Sequence, residues 1–351
     1  MDVRLSAEQL ALRSTAAQVV DRFGPHAVGE LDDDIRRGKL ESAVASAGWR
    51  ELRMDDGEGR PLATGVEVAI IAEQLGRGLA DVAYLGPVLA SELRRRGGAP
   101  DALVAEAVVF DASLSDLSVI DEPARRAGAL AVDVLGAGGA LVLTSQGEKY
   151  GLVIAGVRGG DVSADLTRRI VGVDGTDEIR PLDSHHLLSA DDVMSSVALG
   201  LVVTCADLVG VMRGANQLTC EYAAAREQYG SPIGSFQAVQ HLLADAHVLA
   251  EGSASVTQHA AWAVDALEPH EALVAAATAK AYCSRAGRDV CETAIQVHGG
   301  MGNTWECLAH VFLRRALLSA DLFGGVGANL ERVLRHHGIH ADQTGAIDGL
   351  R

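Results

Sequence analysis

Basic charge is scarce in this chain. Its 351 residues hold 30 Lys and Arg against 47 Asp and Glu, a formal charge of −17. A duplex nucleic-acid binder needs a basic footprint for phosphates, and docking on anionic lipid needs one too. The balance argues against both partners. Cysteine is scarce as well. Five stand at positions 205, 220, 283, 291 and 307, with no CxxC, all in segments that read as helical. An odd set without metal spacing suits a reducing cytoplasm rather than a disulfide scaffold or a zinc site, so a cytoplasmic location is expected. Long apolar runs are missing. The longest uncharged one, Val197 to Ala206, falls short of the roughly 20 residues of a membrane span. Met1-Asp2-Val3-Arg4 has no apolar core of a secretion signal behind it. What is present suffices for a core: 48% apolar against 22% charged residues, over a length that suggests two or three domains.

The first 104 residues read as a helical domain. Ser6-Ala7-Glu8-Gln9 fits a capping box. Leu12, Ala16, Val19, Val20 and Phe23 then share one helix face. Further helices are predicted over Ile35 to Ala47, Gly65 to Leu75 and Val88 to Arg96. Residues 105–190 change texture. Short runs such as Ala107 to Phe110, Leu117 to Ile120, Leu130 to Leu135, Ala140 to Thr144, Leu152 to Ile154 and Ile170 to Val173 alternate with Gly, Asp, Ser and Pro. Such spacing predicts a small sheet or barrel. Residues 191–351 turn helical again. Helices are predicted over Asp191 to Glu227, Phe236 to Ala266, Glu271 to Val297 and Trp305 to Asp321, antiparallel neighbours in a bundle. Gly200, Gly210 and Gly214 weaken the first but suit close packing. Helices, strands, then helices, without β/α alternation, exclude a parallel nucleotide-binding sheet. The expected class is mainly α with a small central β-domain.

Two weak signals are set aside. Gly136-Ala137-Gly138-Gly139 lacks the third glycine of a dinucleotide motif, and a strand follows it, so a hairpin turn is expected. Among twelve histidines, His241 and His247 are six apart and do not share a helix face, as an HExxH-type pair at i and i+4 would, and no metal is expected.

Three segments are more specific. In Arg226-Glu227-Gln228-Tyr229-Gly230-Ser231-Pro232-Ile233-Gly234-Ser235-Phe236-Gln237, an Arg ends a long helix, a Gly/Pro turn follows and a Gln opens the next helix. The arrangement is a helical hairpin whose Arg complements the helix dipole, or an anion site of guanidinium and helix N-terminus. In Gln296-Val297-His298-Gly299-Gly300-Met301-Gly302-Asn303-Thr304-Trp305-Glu306, a helix stops and glycines allow close approach. It is a glycine stop or a ligand contact. Arg314 to Gly325 reads alone as a helix end with a glycine stop.

Together these segments resemble the acyl-CoA dehydrogenase family, in its short actinobacterial form. The likeness is strong over 190 to 335 and thinner at Glu73 to Ala80, Tyr84 to Leu89 and Asp165 to Arg169. It implies a helical domain, a middle β-domain and a C-terminal four-helix bundle, with FAD as cofactor and an acyl-CoA thioester as substrate. In such enzymes a carboxylate takes the α-proton and the flavin takes the β-hydride. The resemblance puts Arg226 on the FAD pyrophosphate and Gln228, Tyr229, Ile233 and Gln237 on the adenosine side. Gln296, Gly299 and Gly300 would cover the remaining phosphate and ribose surface, all toward a neighbouring subunit's flavin.

The departures carry equal weight. The turn that bears the family's Glu base reads Leu322-Phe323-Gly324-Gly325 here. The alternative base position, early in the first C-terminal helix, falls at about Gly200-Leu201, where an Arg also usually stands. The nearest acid is Asp207, about two turns on and roughly on the same face. The TEPxxGSD flavin loop and the aromatic strand over the flavin ring have no counterpart between 105 and 190. The resemblance thus implies the degenerate subunit of a heteromeric α2β2 acyl-CoA dehydrogenase, some of which act on steroid side-chain thioesters. It leaves two alternatives: a homomeric dehydrogenase using Asp207, and a flavin-free structural or regulatory homologue.

Overall fold

The computed structural model describes residues 4–120, 128–135, 139–157, 159–173 and 179–339. Four helices come first: α1 (Ala7–Phe23), α2 (Asp34–Ser46), α3 (Gly65–Arg77) and α4 (Leu85–Gly97). The capping box at Ser6 and Gln9 is formed, and a second one, Thr64 with Glu67, opens α3. Strands β1 (Ala107–Phe110), β2 (Val119–Ile120), β3 (Ala129–Val132), β4 (Gly139–Gln146), β5 (Lys149–Gly156), β6 (Ile170–Val173) and β7 (Ile179–Pro181) build one mixed sheet, ordered β6-β3-β1-β4-β5-β7 with β2 beside β4. Helix α5 (Ala190–Ala225) follows. The miniature ribbon of β8 (Glu227–Gln228) and β9 (Ser231–Pro232) leads to α6 (Gln237–Ala266), α7 (Pro269–His298), α8 (Ala309–Asp321) and α9 (Val326–His336).

Several elements differ from the sequence expectation. Strand β3 ends at Val132 because Asp133 adopts a left-handed φ of 62°. Its carboxylate accepts from the backbone N–H groups of Tyr84 and Gly86 at 3.0 and 3.2 Å. An acceptor from the sheet thereby satisfies free donors at the start of α4. Helix α8 starts at Ala309, later than Trp305, because a 3-10 turn occupies Gly299–Asn303. Cys307 therefore lies outside any helix. Strand β7 and helix α9 were not predicted; α9 is a fifth C-terminal helix, packed on α7. Gly136-Ala137-Gly138 lie outside the described residues; a strand follows from Gly139, but β1 lies between β3 and β4 in the sheet, so the connection is not the hairpin expected.

Helix α5 is the axis of the molecule. Over its most apolar 18-residue window the mean hydropathy is 1.9, long and apolar enough to cross a membrane, yet 83% of that window is buried within this fold. It packs on α3, α4, α6, α7 and α8. Its glycines permit the crossing with α3, since a methyl on Gly210 would overlap the Glu73 carbonyl and one on Gly214 the Arg77 carbonyl. One continuous apolar core joins the N-terminal helices, the near face of the sheet and the bundle.

Glu92 lies at the base of this core, fully buried among Arg53 (2.9 Å), Arg95 (2.8 Å) and Arg96 (2.5 Å). Burial alone would raise its pKa, but Arg53, Arg96 and Arg95 outweigh it and hold the carboxyl at about 2, against an ordinary 4.5. The folded value lies below the unfolded one. The stabilisation is therefore complete above pH 4.5 and is lost as pH falls towards about 2. Over that window unfolding free energy should drop by about 3 kcal/mol from this group. Denaturation curves taken across the window should show this slope, and Glu92→Gln should flatten it.

Candidate functional site

The Arg226 segment is laid open to solvent. Arg226 ends α5, with its N–H donating to Tyr222 O at 2.8 Å and its carbonyl accepting from Ile233 N–H at 2.7 Å. Those two bonds shape the turn, and Arg226 is exposed. Tyr229 holds a left-handed φ of 53° and is 97% exposed. Gln228 and Gln237 are exposed and Ile233 half-buried. The 30-residue helix α6 follows Phe236, which supplies no side-chain cap. A guanidinium beside uncapped N–H groups is the chemistry of an anion site.

The second segment meets the first. His298, the last residue of α7, stacks on Tyr222, one turn before Arg226, at 4.3 Å between ring centroids. Gln296, Gly299 and Gly300 are exposed at this same end. Gly299 adopts a φ of 61°, and methyls built on Gly299 and Gly300 would stand in open space. Residues about 70 positions apart thus form one surface with room for a ligand against the backbone.

Asp207 lies elsewhere. Nineteen residues separate it from Arg226, about 28 Å along α5 at 1.5 Å per residue. It is 1% exposed. Its Oδ1 accepts from Arg315 Nε at 3.0 Å and from Arg315 Nη2 at 2.6 Å, and lies 3.2 Å from Arg168 Nη2. Its Oδ2 accepts from Ser319 Oγ at 2.7 Å. Burial would raise its pKa, but Arg168, Arg315 and Ser319 together hold it below the ordinary carboxylate range. A carboxylate so paired is a poor proton acceptor. This geometry suits an ion cluster joining α5, α8 and the segment before β6, and it disfavours the base role that the homomeric alternative gives Asp207. One signal could have shown this: an acid inside a long apolar helix demands a buried cation.

The 322–325 turn is packed solid. Phe323 is fully buried with a φ of 60°, and its ring lies edge-on to Phe110 at 4.8 Å. The same ring fills the space over Gly200, where an added methyl would overlap Cζ and Cε2. Asn329 donates to the carbonyls of Phe323, Gly324 and Gly325 at 3.2, 2.7 and 3.0 Å. Arg332 donates to Phe323 O at 2.6 Å. Lys280, buried with no carboxylate in hydrogen-bond reach among the described residues, donates to Ala320 O at 2.7 Å. Burial brings its ammonium down to about 8. From the sheet side, Leu114 O accepts the Phe323 N–H at 2.7 Å.

A cavity of about 570 Å³ opens nearby between the sheet and α8, walled by Leu114, Leu130, Ile170, Leu313 and Leu318. Asp165 and His310 are also in its wall, each with a ring or carboxylate atom left unpaired among the described groups. Asn303, Trp305, Arg314 and Asp165 come to it from the segments singled out in the sequence, but none of the candidate cofactor-binding residues lines it.

Comparison with known proteins bears on this arrangement. The acyl-CoA dehydrogenase C-terminal domain family matches residues 191–336. Acyl-CoA dehydrogenase IpdE2 of Mycobacterium tuberculosis is 30% identical over 323 residues, 90% of this chain and 92% of its own length. The chain belongs to the acyl-CoA dehydrogenase family. Acyl-CoA dehydrogenase FadE34 of the same organism is 40% identical over 135 residues, but the match spans only 19% of that longer protein. Among solved structures, a variant of the steroid ACAD Tcur3481-Tcur3483 superposes with a TM-score of 0.76 at 20% identity, over 94% of this chain and 98% of that one. The ChsE4-ChsE5 complex from Mycobacterium tuberculosis gives 0.73 at 24% identity, over 96% and 99%. At those identities the likeness is one of fold, and it agrees with the helix–sheet–helix order.

The two positions at which the resemblance places a base, 200–201 and the 322–325 turn, are in contact through Phe323 and Gly200. Neither carries an acid. The chain order could not reveal that contact, because the residues lie 123 positions apart.

Proposed function

We propose that this chain is a subunit of an FAD-dependent acyl-CoA dehydrogenase that lends its Arg226 surface to a flavin shared with a different subunit, which supplies the base. One observation carries the reading. The places for a carboxylate are filled by a phenylalanine ring over a glycine, while the Arg226, Gly299 and Gly300 surface is open. The residues fit the cofactor: the exposed guanidinium of Arg226 and the uncapped start of α6 suit a pyrophosphate, and the bare backbone at Gly299 and Gly300 suits close approach. Gln228, Tyr229, Ile233, Gln237 and Gln296 would border the adenosine and ribose. FAD, when bound, supplies the hydride acceptor. The chain's own part is to bind and orient, with Arg226 neutralising phosphate charge. The substrate would be an acyl-CoA, and a bulky acyl group such as a steroid side chain accords with the steroid ACAD among its structural neighbours. An α2β2 assembly in the cytoplasm is the arrangement this reading expects.

A second reading has its own support. The cavity beside α8 is large enough to hold a ring system on this chain alone, as a homomeric enzyme would require. Flavin absorbance per chain separates the two, measured for the protein alone and after co-purification with an adjacently encoded dehydrogenase-like chain. Flavin only in the pair supports the shared site. Flavin in the isolated chain supports the homomeric enzyme, and flavin in neither supports a structural homologue.

Arg226→Ala should weaken flavin retention in the complex without unfolding it. A charge-assisted guanidinium–phosphate pair contributes roughly 1.5–3 kcal/mol, or about one to two decades of affinity. Arg226→Lys should restore only part, since lysine lacks the planar fork. Unchanged flavin content in Arg226→Ala would remove Arg226 from the site.

A further inference from the structure

The cavity of about 570 Å³ between the sheet and α8 has no part in the shared-flavin reading. Its volume is that of a small-molecule site. Helix α8 builds one wall because its two faces differ. Arg315 and Ser319 turn inward to Asp207. His310, Leu313, Arg314 and Leu317, spaced i, i+3, i+4 and i+7, line the cavity. Leu130 and Ile170 line it from the sheet. Two buried polar groups interrupt this apolar lining. The turn before β6 uses one oxygen of Asp165, whose Oδ1 accepts from the Thr167 N–H and the Thr167 hydroxyl, each at 2.9 Å. Its Oδ2 has no partner among the described residues, and neither has Nε2 of His310. A buried polar atom without a partner is rare, because nothing offsets its lost hydration. Here two such residues stand in the wall of one cavity, and a ligand that carries oxygen would complete both.

Charge decides the ligand class. Burial pushes the Asp165 carboxyl up towards its neutral form, against the pull of Arg315 and Arg168. Burial and the charge of Arg314 hold the His310 imidazole below its ordinary value, so it is neutral near pH 7. Arg314 and Asp321 in the wall are of opposite sign, and Arg314 is engaged with Ala164 O at 3.0 Å. An ionic ligand would shed its water here without gaining a counter-charge. The Trp305 and His310 rings meet edge to face, 5.1 Å apart with planes at 79°, and Trp305 is 66% exposed. This aromatic pair offers a surface to a flat ring. A rigid ring body also loses less freedom on binding than a flexible chain of the same volume. We propose that this cavity binds a neutral, mostly apolar ring compound whose hydroxyl or carbonyl oxygens bond to Asp165 Oδ2 and His310 Nε2. The site is additional to the Arg226 surface, and its test does not depend on that surface.

Testosterone is a suitable probe, being rigid and uncharged with a carbonyl at one end and a hydroxyl at the other. Equilibrium dialysis against the full-length chain should show saturable binding. The 17β-carboxylate of the same ring system should bind about tenfold more weakly or worse, for want of a counter-charge. His310→Phe keeps an aromatic ring but loses the ring nitrogen. It should weaken testosterone about three- to tenfold, as one neutral hydrogen bond would, and Asp165→Ala should weaken it similarly. Tryptophan emission locates the site. Trp49 is buried and Trp262 half-buried, so the change on binding should come from Trp305 and vanish in Trp305→Phe, while dialysis still shows binding. Should His310→Phe and Asp165→Ala fail to fold, the carboxylate comparison and the Trp305 signal decide. The assignment is overturned by no saturable binding, by equal binding of the carboxylate, or by an emission change that survives Trp305→Phe. Undiminished affinity in either folded cavity variant overturns it too. Competitive displacement of testosterone by FAD would overturn it and make the cavity a flavin seat, as the homomeric reading requires.

Discussion

Replacing Asp207 by Asn should destabilise the folded chain by about 3–5 kcal/mol, the cost of breaking a buried ion pair by removing one partner. Asn has nearly the same shape, so no cavity is made and packing is unchanged. What changes is charge. Arg315 would keep its bonds to Ala80 O and Thr167 Oγ1, at 2.8 and 3.0 Å, but would lose the carboxylate that neutralises it. Arg168 would keep its bond to Ser319 Oγ at 3.3 Å but lose the same carboxylate. Asp165 is close enough to both arginines to offset part of the loss, though burial keeps its own pKa raised. Urea denaturation of the purified chain measures the effect. The variant also separates structure from catalysis. If a partner's carboxylate is the base, folded Asp207→Asn complex should turn over within a few-fold of wild type. A collapse of turnover with assembly, flavin content and stability intact would restore Asp207 as the base and promote the homomeric enzyme.

The second large effect is expected at Gly200. A methyl there, as in Gly200→Ala, would overlap the Phe323 ring, which is wedged against Phe110 and cannot retreat towards solvent. Overpacking of this kind costs about 1–3 kcal/mol. Phe323→Ala alone should cost roughly 3–5 kcal/mol, through lost burial and the cavity left behind. The two changes share one volume, so they should not add. In the double variant the methyl added at Gly200 occupies part of the space that the ring vacated. A coupling of about 0.5–3 kcal/mol in the rescuing direction is expected from a double-mutant cycle on thermal or urea unfolding. Simple additivity would mean that Phe323 does not fill the space over Gly200, and the main support for a base-less subunit would fall with it.

Much of the fold was legible along the chain because helices declare themselves locally. Apolar spacing and a capping box located α1 and α3, and glycines at 200, 210 and 214 in an apolar helix marked close crossings. The short strands were harder. Their pairing depends on partners far away, and β3 stops where Asp133 turns aside to cap α4, a demand set by another element. Helix α9 was missed because its glycine-rich start, Gly324 to Gly327, looks like a terminus until Asn329 and Arg332 are seen bonding back to that turn.

For the candidate site the division is sharper. The residue order alone located the segments to which the resemblance assigns the cofactor surface, Arg226 to Gly230 and Gln296 to Gly302, since each is a contiguous motif. It also showed that no carboxylate stands at the expected base positions. The packed fold was needed to see that Tyr222 and His298 join those motifs into one surface. It was needed again to see that Phe323 occupies the space over Gly200, and that Asp207 is locked by Arg315 and Arg168. Each of those facts is a contact between residues on different elements. A local pattern specifies which side chains a helix presents, but the partner each one meets is set by how the helices cross.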